Sequence, residues 1–418
     1  MRRVYHSATK EKKMEQKKES LIYDRGEIKP GLERISRLLD IFGDPQNKVK
    51  VIHIAGTNGK GSTGMFIRKA LSLAGYRAGH YQTPAVFDPL EIISIDGKKI
   101  KKKAYESLKN EIARAADEKM ADDPPSVFER ECAAAYIYFE REKCDICVIE
   151  AGMGGLYDAT NVSGNTVLSV ITPIGMDHME YLGNTVKEIS SHKAGIIRPG
   201  VPVVTAPQVN DALEVITKKA QEVNAPLYIT KTGEDLPYRK INEAVALEAV
   251  KVLSGTFEGL KALGDKNIKK AFSRVRPFGR FYRAGSNPVF ILDGAHNIPA
   301  AQALRKSILL TFKDKEVIYI TGAFKDKEYV ETIKTAAVNS KTVFTVTAPG
   351  DRGLDAHILS GRLQEAGLLS VPKDSVKEAV GAACLLAEKE NMPVIAFGSL
   401  SWLKEAKKQY DNRKKGFR

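Results

Sequence analysis

A short apolar segment that runs into a glycine-rich turn and then into a helix constrains the fold of this chain more than any other feature. Lys50–Ala55 (KVIHIA) predicts a buried strand, and Ser62–Ala74 predicts a helix with its apolar residues on one face. The residues from Gly56 to Ser62, GTNGKGS, connect the two. This order is typical of α/β folds, in which parallel strands alternate with helices.

The same alternation continues along the chain and predicts two α/β units. Unbroken apolar runs suit strands of a parallel sheet that is covered on both faces. Such runs lie at Asp145–Ala151, Thr166–Thr172, Val201–Thr205, Pro288–Leu292, Glu316–Thr321, Thr342–Thr347 and Met392–Phe397. Helical stretches near residues 299–310, 355–366 and 374–389 separate the last four runs. We therefore expect a P-loop-type doubly wound, mostly parallel sheet domain, followed by a smaller Rossmann-like α/β domain.

Composition predicts the limits of these units. Residues 1–20 are rich in charge and are expected to form a flexible basic extension. The segment 276–285 (RPFGRFYRAG) contains a proline and two glycines, which favour a connection between domains. We therefore predict an N-terminal domain over residues 21–283 and a C-terminal domain over residues 284–418.

The GTNGKGS turn carries the strongest chemical signal, because a glycine-rich loop between a strand and a helix is typical of phosphate binding. Glycines let backbone N–H groups and the helix N-terminus approach an anion closely. Lys60 would contact the β- and γ-phosphates of ATP, and the Ser62 hydroxyl would bind Mg²⁺. The residues predicted to bind the nucleotide here are Gly56, Thr57, Asn58, Gly59, Lys60, Gly61, Ser62 and Thr63.

Polar residues also follow several strands at their carboxyl ends, where open α/β sheets bind ligands. Glu150 ends a predicted strand, where it would either bind Mg²⁺ or remain a solvated acid. Asp293 in DGAHN has the same position, although Asp and Asn also serve as turn residues. His178 is either a structural residue or a ligand, and Lys193 taken alone is expected on the surface.

The net charge of +14 is concentrated at the two ends of the chain. Residues 1–20 hold seven Lys/Arg and three Glu, and residues 401–418 hold seven Lys/Arg and two Asp/Glu. The ends therefore supply nine of the fourteen charges, and we interpret them as solvated tails rather than as nucleic-acid-binding arms. The mildly basic remainder would attract small anionic substrates.

Apolar runs and the cysteine count argue against a membrane-spanning, a secreted or a disulfide-rich protein. No run approaches the roughly 18 apolar residues of a membrane span, and the N-terminus lacks a secretory apolar region, so we expect a cytoplasmic location. Four cysteines are too few for a disulfide framework. Cys144 and Cys147 are expected to point to opposite faces of a strand and to act as small buried hydrophobes.

The order of several motifs resembles that of folylpolyglutamate synthases, which are often bifunctional with dihydrofolate synthase and lie in the Mur ligase superfamily. The similarity runs from about Lys29 to Leu403. The motifs that carry it are KPGLERISRLLD at 29–40, VIHIAGTNGKGST at 51–63, IEAGMGGLYDATNV at 149–162, MDHMEYLG at 176–183, HKAGI at 192–196, GRF at 279–281, DGAHN at 293–297, GAFKDKE at 322–328, the Pro349–Arg352 segment and GSL at 398–400.

The resemblance implies a catalytic and metal-binding role for several of these residues. Lys60 would hold the ATP phosphates, and Ser62 with Glu150 would hold a first Mg²⁺. His178 would join a second Mg²⁺ site, together with Lys193 as a carbamate. Such a modification is chemically reasonable, since Mg²⁺ prefers oxygen ligands and an ammonium group offers none.

The resemblance also implies the contacts of the nucleotide and of the substrate. Arg280, Asp293 and His296 would meet the nucleotide, with Asn242 near the adenine or ribose. Residues of the substrate loops that would contact the acceptor are Thr83, Pro84 and Asp158. The expected partners are small molecules, namely a reduced folate, L-glutamate and ATP, with no nucleic acid and no membrane, and the protein is expected to be a monomer.

The implied reaction is ATP-dependent ligation of L-glutamate to the glutamyl carboxylate of tetrahydrofolate through an acyl phosphate. The chain departs from the family pattern where Thr83-Pro84-Ala85 replaces Ser-Pro-His and Leu156 replaces Arg. The alternatives are a dedicated or bifunctional dihydrofolate synthase that acts on dihydropteroate, and a Mur-type ligase with a non-folate carboxylate acceptor. Two further alternatives come from other classes, a P-loop NTPase switch and a nucleic-acid-binding protein.

Overall fold

The protein is described by a computed structural model, which covers residues 29–85, 88–233, 235–325 and 328–415. The expected basic extension at residues 1–20 lies outside these residues. Within the described ranges, the strands form two sheets, one of eight strands and one of six. The chain completes the first sheet before it begins the second.

The first sheet is mostly parallel, and its central strand leads into the glycine-rich turn. Its strands are β1 (Lys50–Ala55), β2 (Ala78–Tyr81), β3 (Ile93–Ile95), β4 (Lys98–Lys99), β5 (Ile146–Glu150), β6 (Thr166–Ile171), β7 (Val203–Thr205) and β8 (Leu227–Ile229). Their order across the sheet is β4-β3-β2-β5-β1-β6-β7-β8, and the pairs that include β3 or β4 are antiparallel. Strands β5 and β6 therefore flank β1, and their carboxyl ends meet at one edge.

Helices cover both faces of this sheet. They are α1 (Glu33–Ile41), α2 (Lys60–Leu73), α3 (Lys102–Lys119), α4 (Val127–Arg141), α5 (Met179–Leu182), α6 (Val186–Ala194), α7 (Asn210–Glu222), α8 (Tyr238–Leu253) and α9 (Glu258–Phe272), with 3₁₀ turns at Pro45–Asn47 and Pro89–Ile92. Capping boxes begin α4 at Ser126 and α6 at Thr185, where a glutamate three residues later bonds back to the cap.

Apolar side chains form three clusters on the two faces of the sheet, and the third joins β6 and β7 to α6 and α7. Phe66 and Leu71 of α2 pack with Val245 of α8 against one face. Residues of α1, α3 and α4, such as Leu38 and Phe139, pack against the other. Burial on both faces explains why β1 and β5 are unbroken apolar runs in the sequence.

The second sheet has the same layered plan on a smaller scale. Its strands are β9 (Tyr282–Ser286), β10 (Val289–Asp293), β11 (Val317–Thr321), β12 (Ser340–Thr345), β13 (Ser370–Pro372) and β14 (Val394–Phe397). Its helices are α10 (Ile298–Phe312), α11 (Tyr329–Ala336), α12 (Ala356–Glu365), α13 (Val376–Glu390) and α14 (Leu400–Lys415). The order is β13-β12-β11-β14-β10-β9, parallel except for the edge pair β9–β10.

The structure confirms the predicted fold class, and each predicted strand is present to within a few residues. The strands that the sequence did not predict are β2, β3, β4, β8, β9 and β13. Most of these are short or lie at the sheet margins, where one strand neighbour is missing and the apolar pattern is weak. The division at residues 283 and 284 stays a prediction, although part of the expected connection forms β9.

The expectation for the cysteine pair was wrong in its geometry. Cys144 precedes β5, so strand alternation does not apply to it, and both cysteines belong to the same apolar cluster. Burial, and then the nearby Cys144 thiol, raise the pKa of Cys147 well above its usual value. Both thiols are buried, as the sequence had indicated.

Among the helices that the structure describes, none has the length and apolar character of a membrane span.

Candidate active site

The glycine-rich turn leaves the central strand β1 and enters α2 through two glycines that need their lack of a side chain. Gly56 has φ 145° and Gly59 has φ 93°, a region that favours glycine. A Cβ atom on Gly56 would collide with Thr172 Oγ1, and one on Gly59 with Asn242 Oδ1. The helix begins at Lys60, two residues earlier than predicted, because the left-handed Gly59 caps it.

Thr57 and Asn58 tie this turn to the segment that follows β6. Their backbone N–H groups both donate to the Pro173 carbonyl, at 3.0 and 3.3 Å. The Thr57 hydroxyl donates to the Gly175 carbonyl at 3.0 Å and accepts from the Gly175 N–H at 3.1 Å. The turn is therefore held in shape before any ligand contributes.

Two lysine side chains converge on one carbonyl oxygen in this turn. Lys60 Nζ donates to Gly56 O at 3.0 Å, and Lys193 Nζ donates to the same oxygen at 3.1 Å. Lys193 lies on α6 and is only 2% exposed. The expectation of a surface lysine, which rested on the local sequence alone, was therefore wrong. Burial, and then the charge of Lys60, lower the pKa of Lys193 to about 7, against the opposing charges of Asp177 and Asp158.

Oxygen atoms collect beside the start of α2. The Ser62 and Thr63 hydroxyl oxygens are buried and have no hydrogen-bond partner among the described residues. Glu150, at the end of β5, approaches the neighbouring Gly61, where a methyl group would lie 3.2 Å from Glu150 Oε2. The Thr83 N–H donates to that same oxygen at 3.4 Å, and the exposed Pro84 follows it on the loop after β2.

No cluster of three or more His, Cys, Asp or Glu side chains in the described ranges is arranged to hold a metal ion. The set that the resemblance implies does not depend on such a cluster. It uses the Ser62 hydroxyl and the Glu150 carboxylate for one ion, and the His178 imidazole with Lys193 as a carbamate for the other. Both Ser62 and Glu150 are buried. These oxygen atoms are of the kind that Mg²⁺ binds.

The residues after β6 reach across to the second sheet. His178 has φ 51° and a half-exposed side chain, and its Nε2 lies 3.8 Å from Asp177 Oδ2. Asn297 Nδ2 donates to Asp177 Oδ2 at 2.9 Å, and Asn58 Nδ2 lies 3.4 Å from Asn297 Oδ1. Asn297, which also caps α10, thus joins the glycine-rich turn to the segment that carries His178.

The loop after β10 brings together the GRF and DGAHN motifs. Asp293 Oδ2 accepts from the Phe281 N–H at 2.7 Å, and Oδ1 accepts from the Ala295 N–H at 2.9 Å. Burial raises the pKa of Asp293, against hydrogen bonds and the positive charge of Arg280. The Arg280 guanidinium lies close to Gly294: a methyl group on Gly294 would be 2.6 Å from Arg280 Nη1.

A small, partly open cleft lies at the carboxyl ends of β10, β11 and β14. His296 lines it, and its Nδ1 is 2.8 Å from the Gly294 carbonyl oxygen. Tyr329, Thr332, Phe397 and Gly398 line other parts of the cleft. The crevice at strand ends is where open α/β sheets bind ligands.

Asp158 organises the loop that follows β5. Its carboxylate accepts from the Met153 N–H at 2.8 Å, from the Thr160 N–H at 3.0 Å and from the Thr160 hydroxyl. His53 Nε2 lies 2.9 Å from Thr160 Oγ1. Because the Thr160 hydroxyl donates its proton to Asp158, His53 is the donor to Thr160. Burial lowers the pKa of His53 to about 3, so the ring is neutral. Asp158, which is predicted to contact the substrate, thus also fixes the shape of this loop.

Sequence reasoning missed three residues that join the two halves of the site. Asp177 and Asn297 stand inside motifs that were recognised, beside His178 and His296, so their neighbours in sequence were a usable signal. Tyr238 on α8 donates its hydroxyl to Asp293 Oδ2 at 2.6 Å. Nothing in the local sequence of Tyr238 indicates a contact 55 residues away.

Comparison with known proteins defines the class. A model of the Mur ligase middle domain matches residues 54–251, and a model of the Mur ligase glutamate ligase domain matches residues 279–400. A solved structure of E. coli FolC in complex with DHPP and ADP has a TM-score of 0.84 at 26% identity, and the match covers 95% of this chain and 97% of that one. The chain therefore contains both Mur ligase domains and is an ATP-dependent ligase of that class.

Relatives place the chain within this class. It is 33% identical to the dihydrofolate synthase/folylpolyglutamate synthase of Bacillus subtilis (strain 168), over 73% of this chain and 78% of that protein. It is 32% identical to the folylpolyglutamate synthase of Lacticaseibacillus casei, over 88% of this chain and 91% of that protein. The chain belongs to the folylpolyglutamate synthase/dihydrofolate synthase family.

Proposed function

We propose that this ligase joins L-glutamate to the glutamyl carboxylate of tetrahydrofolate, with ATP as the energy source, as a folylpolyglutamate synthase. One observation supports this most directly. Lys60 and Lys193 meet at the end of the central strand, and Asn297 holds the DGAHN loop of the second sheet against that point. Groups suited to phosphate and groups suited to the rest of a nucleotide therefore face one cleft.

The nucleotide would lie between the two sheets. Lys60 would leave its bond to Gly56 O and contact the phosphates, and the helix N-terminus at Gly59 adds a favourable dipole. Asn242 lies against Gly59, and its buried Nδ2 has no hydrogen-bond partner in the described ranges, so it has a donor to offer the base or ribose. Arg280, Asp293 and His296 would contact the nucleotide from the other side.

The reaction would proceed in two steps. The folate carboxylate attacks the γ-phosphorus of ATP, and the bond to the β,γ-bridging oxygen breaks to release ADP. The amino group of L-glutamate then attacks the acyl phosphate and expels phosphate to form the amide. Positioning and charge stabilisation account for most of the rate in phosphoryl transfer. Contacts between the domains would help to exclude water from the acyl phosphate, which water would otherwise hydrolyse.

Two Mg²⁺ ions fit the oxygen-rich surroundings of this turn. The first ion would be held by the Glu150 carboxylate and by the buried Ser62 hydroxyl, to which no described residue is hydrogen-bonded. His178 and Lys193 as a carbamate would hold the second. When bound, the ions would neutralise charge on the transferred phosphoryl group.

The surroundings of Lys193 favour carbamate formation. A pKa of about 7 leaves roughly half of its amine neutral near pH 7, and the neutral amine is the form that attacks CO₂. The product is a carboxylate-like group where an ammonium group stood. A ¹³C NMR carbamate signal after exposure to ¹³CO₂, present in the wild type and missing in Lys193→Met, tests this without any measurement of activity.

Incorporation of labelled L-glutamate with Mg-ATP tests the function, with tetrahydrofolate monoglutamate and dihydropteroate as parallel acceptors. Label on tetrahydrofolate alone supports the proposal, and label on both acceptors supports a bifunctional enzyme. The names of the relatives give both activities, so dihydrofolate synthase is the second candidate. Label on neither acceptor, with ATP bound, would contradict the proposal and favour a different carboxylate acceptor. Sedimentation of the same sample tests the predicted monomer.

A further inference from the structure

The geometry points to Tyr238 as a positioning residue that orients the Asp293 carboxylate toward the nucleotide and thereby links the two halves of the site. This inference rests on the proposed function, in which Asp293 contacts ATP. Tyr238 lies on α8, which packs against the first sheet, whereas Asp293 ends β10 of the second. The hydrogen bond between them therefore crosses from one sheet's domain to the other.

The hydrogen bonds of Asp293 determine which of its oxygens remains available. Oδ2 accepts from the Tyr238 hydroxyl at 2.6 Å and from the Phe281 N–H at 2.7 Å. Oδ1 accepts from the Ala295 N–H at 2.9 Å. A carboxylate oxygen has two lone pairs, so donors among the described residues fill both positions on Oδ2 and leave one acceptor position on Oδ1. A hydroxyl group of a ligand would bind at Oδ1.

Helix α8 gives this contact a fixed relation to the glycine-rich turn. Tyr238 and Asn242 are four residues apart, so they lie on one face of the helix. Asn242 contacts Gly59, and Tyr238 contacts Asp293. Arg239 anchors the same end of the helix, with Nη2 donating to the carbonyls of Phe272 and Val275 at 3.2 and 2.8 Å. One rigid element thus sets the spacing between the phosphate side and the Asp293 side.

The charge state of Asp293 depends on the same contact. Burial raises the pKa of this carboxyl group, and the hydrogen bond from Tyr238, followed by the charge of Arg280, works in the opposite direction. Loss of the tyrosine hydroxyl would leave one lone pair of a buried oxygen without a donor and would raise the pKa of Asp293 further. Tyr238 itself remains protonated, because burial and Asp293 raise its pKa well above 10.

Tyr238→Phe removes the hydroxyl and keeps the ring, so it tests the inference directly. We expect Kd for a non-hydrolysable ATP analogue and KM for ATP to rise about tenfold, the size expected for one hydrogen bond to a buried charge. The kcat should change by less than about threefold, which is within the context dependence of such effects. The acid limb of the kcat/KM profile for ATP should move to higher pH, since Asp293 would protonate earlier.

Tyr319→Phe is the matched control. Tyr319 is buried in β11 and donates its hydroxyl to the Val338 carbonyl at 2.6 Å, so its loss removes a bond of equal length from a residue with no predicted ligand contact. Melting temperatures of both variants measure the general effect on stability. We expect Tyr319→Phe to lower the melting temperature without a change in Kd for the analogue.

A double-mutant cycle with Asp293→Asn decides whether Tyr238 acts through Asp293. We expect Tyr238→Phe to weaken binding less than about twofold in the Asp293→Asn background. An undiminished effect there, or a Tyr238→Phe protein that binds the analogue like the wild type, would overturn the inference. A wild type that binds the analogue but adds no glutamate to folates contradicts the proposed function alone. The Kd values of the wild type and Tyr238→Phe then still decide the role of Tyr238. A wild type that does not bind the analogue contradicts both.

Discussion

The two sheets hold the polar residues of the site in different ways. Beside β1, the Ser62 and Thr63 hydroxyls and the Asn242 amide nitrogen are buried without hydrogen-bond partners in the described chain. Beside β10, the carboxylate of Asp293 accepts three protein hydrogen bonds, and Asn297 bonds to Asp177 of the first sheet's domain. A buried polar atom without a partner costs about 1–3 kcal/mol, so the first set is suited to a ligand that supplies the missing bonds.

The difference indicates a division of work. The first sheet presents donors and acceptors for a ligand, and ligand binding would stabilise this side most. Beside the second sheet, Asp293 and Asn297 already form hydrogen bonds, each with one residue of the other domain. The contribution of this side should therefore depend on how well the domains are aligned. Changes beside β1 should then affect catalysis most strongly, and changes at the interdomain contacts should act more weakly through alignment.

Lys60→Ala should have the largest effect. We expect kcat to fall by about 10³-fold or more, because a preorganised charge at the transferred phosphoryl group is lost. The fold should survive, since Lys60 is only partly buried and bonds to backbone carbonyls of its own turn. Lys69→Ala, further along the same helix, is the control. Turnover near the wild-type rate in Lys60→Ala would contradict the role of the first sheet.

His178→Ala should come next. We expect at least about a 10²-fold loss of kcat if the imidazole belongs to the catalytic centre, which is the usual scale for loss of one such group. The side chain is 42% exposed, so its removal should leave the melting temperature unchanged. His357→Ala, an exposed histidine of the second domain, serves as the comparison. If both variants retain equal activity, His178 has no catalytic role.

Lys193 should make stability depend on pH in CO₂-free buffer. The folded pKa of about 7 lies below the usual 10.5, so between these values unfolding takes up a proton. Stability of the wild type relative to Lys193→Met should therefore rise with pH in this window, by at most about 1.4 kcal/mol per pH unit, and should be lost as the pH falls toward 7. Urea unfolding of both proteins at pH 7, 8 and 9 measures the difference. Parallel curves would show that the lysine is not perturbed by burial.

Asn297→Ala should have the smallest effect and tests alignment. The variant loses the bond to Asp177 and the cap on the Ala300 N–H, so we expect a loss of about 1 kcal/mol in stability and a few-fold rise in KM for ATP. Asn297→Ser separates the two causes, because serine restores the cap but does not reach Asp177. A kcat loss as large as that of Lys60→Ala would remove the distinction between the two sheets.

Local patterns in the sequence were sufficient to predict much of this protein. Buried strands such as β1 and β5 are unbroken apolar runs because both of their faces are covered. The glycine-rich turn was recognised from its glycines between a strand and a helix. Strands β3, β4 and β13 were not predicted, because strands of two or three residues depend on their neighbours more than on their own sequence. The DGAHN motif was singled out because it stands at the end of a strand, and the nucleotide contacts of Asp293 and His296 stay predictions from the resemblance.

The sequence by itself therefore determined the fold class, the position of the glycine-rich turn and most of the polar residues at strand ends, because these follow from side-chain periodicity and local backbone requirements. Only the tertiary structure decided that Lys193 is buried beside Lys60, which sets its pKa, and that Asn58 meets Asn297 across 239 positions of sequence. Burial and proximity arise from packing between distant segments, and no local pattern encodes them. The bond from Tyr238 to Asp293 belongs to the same class of information.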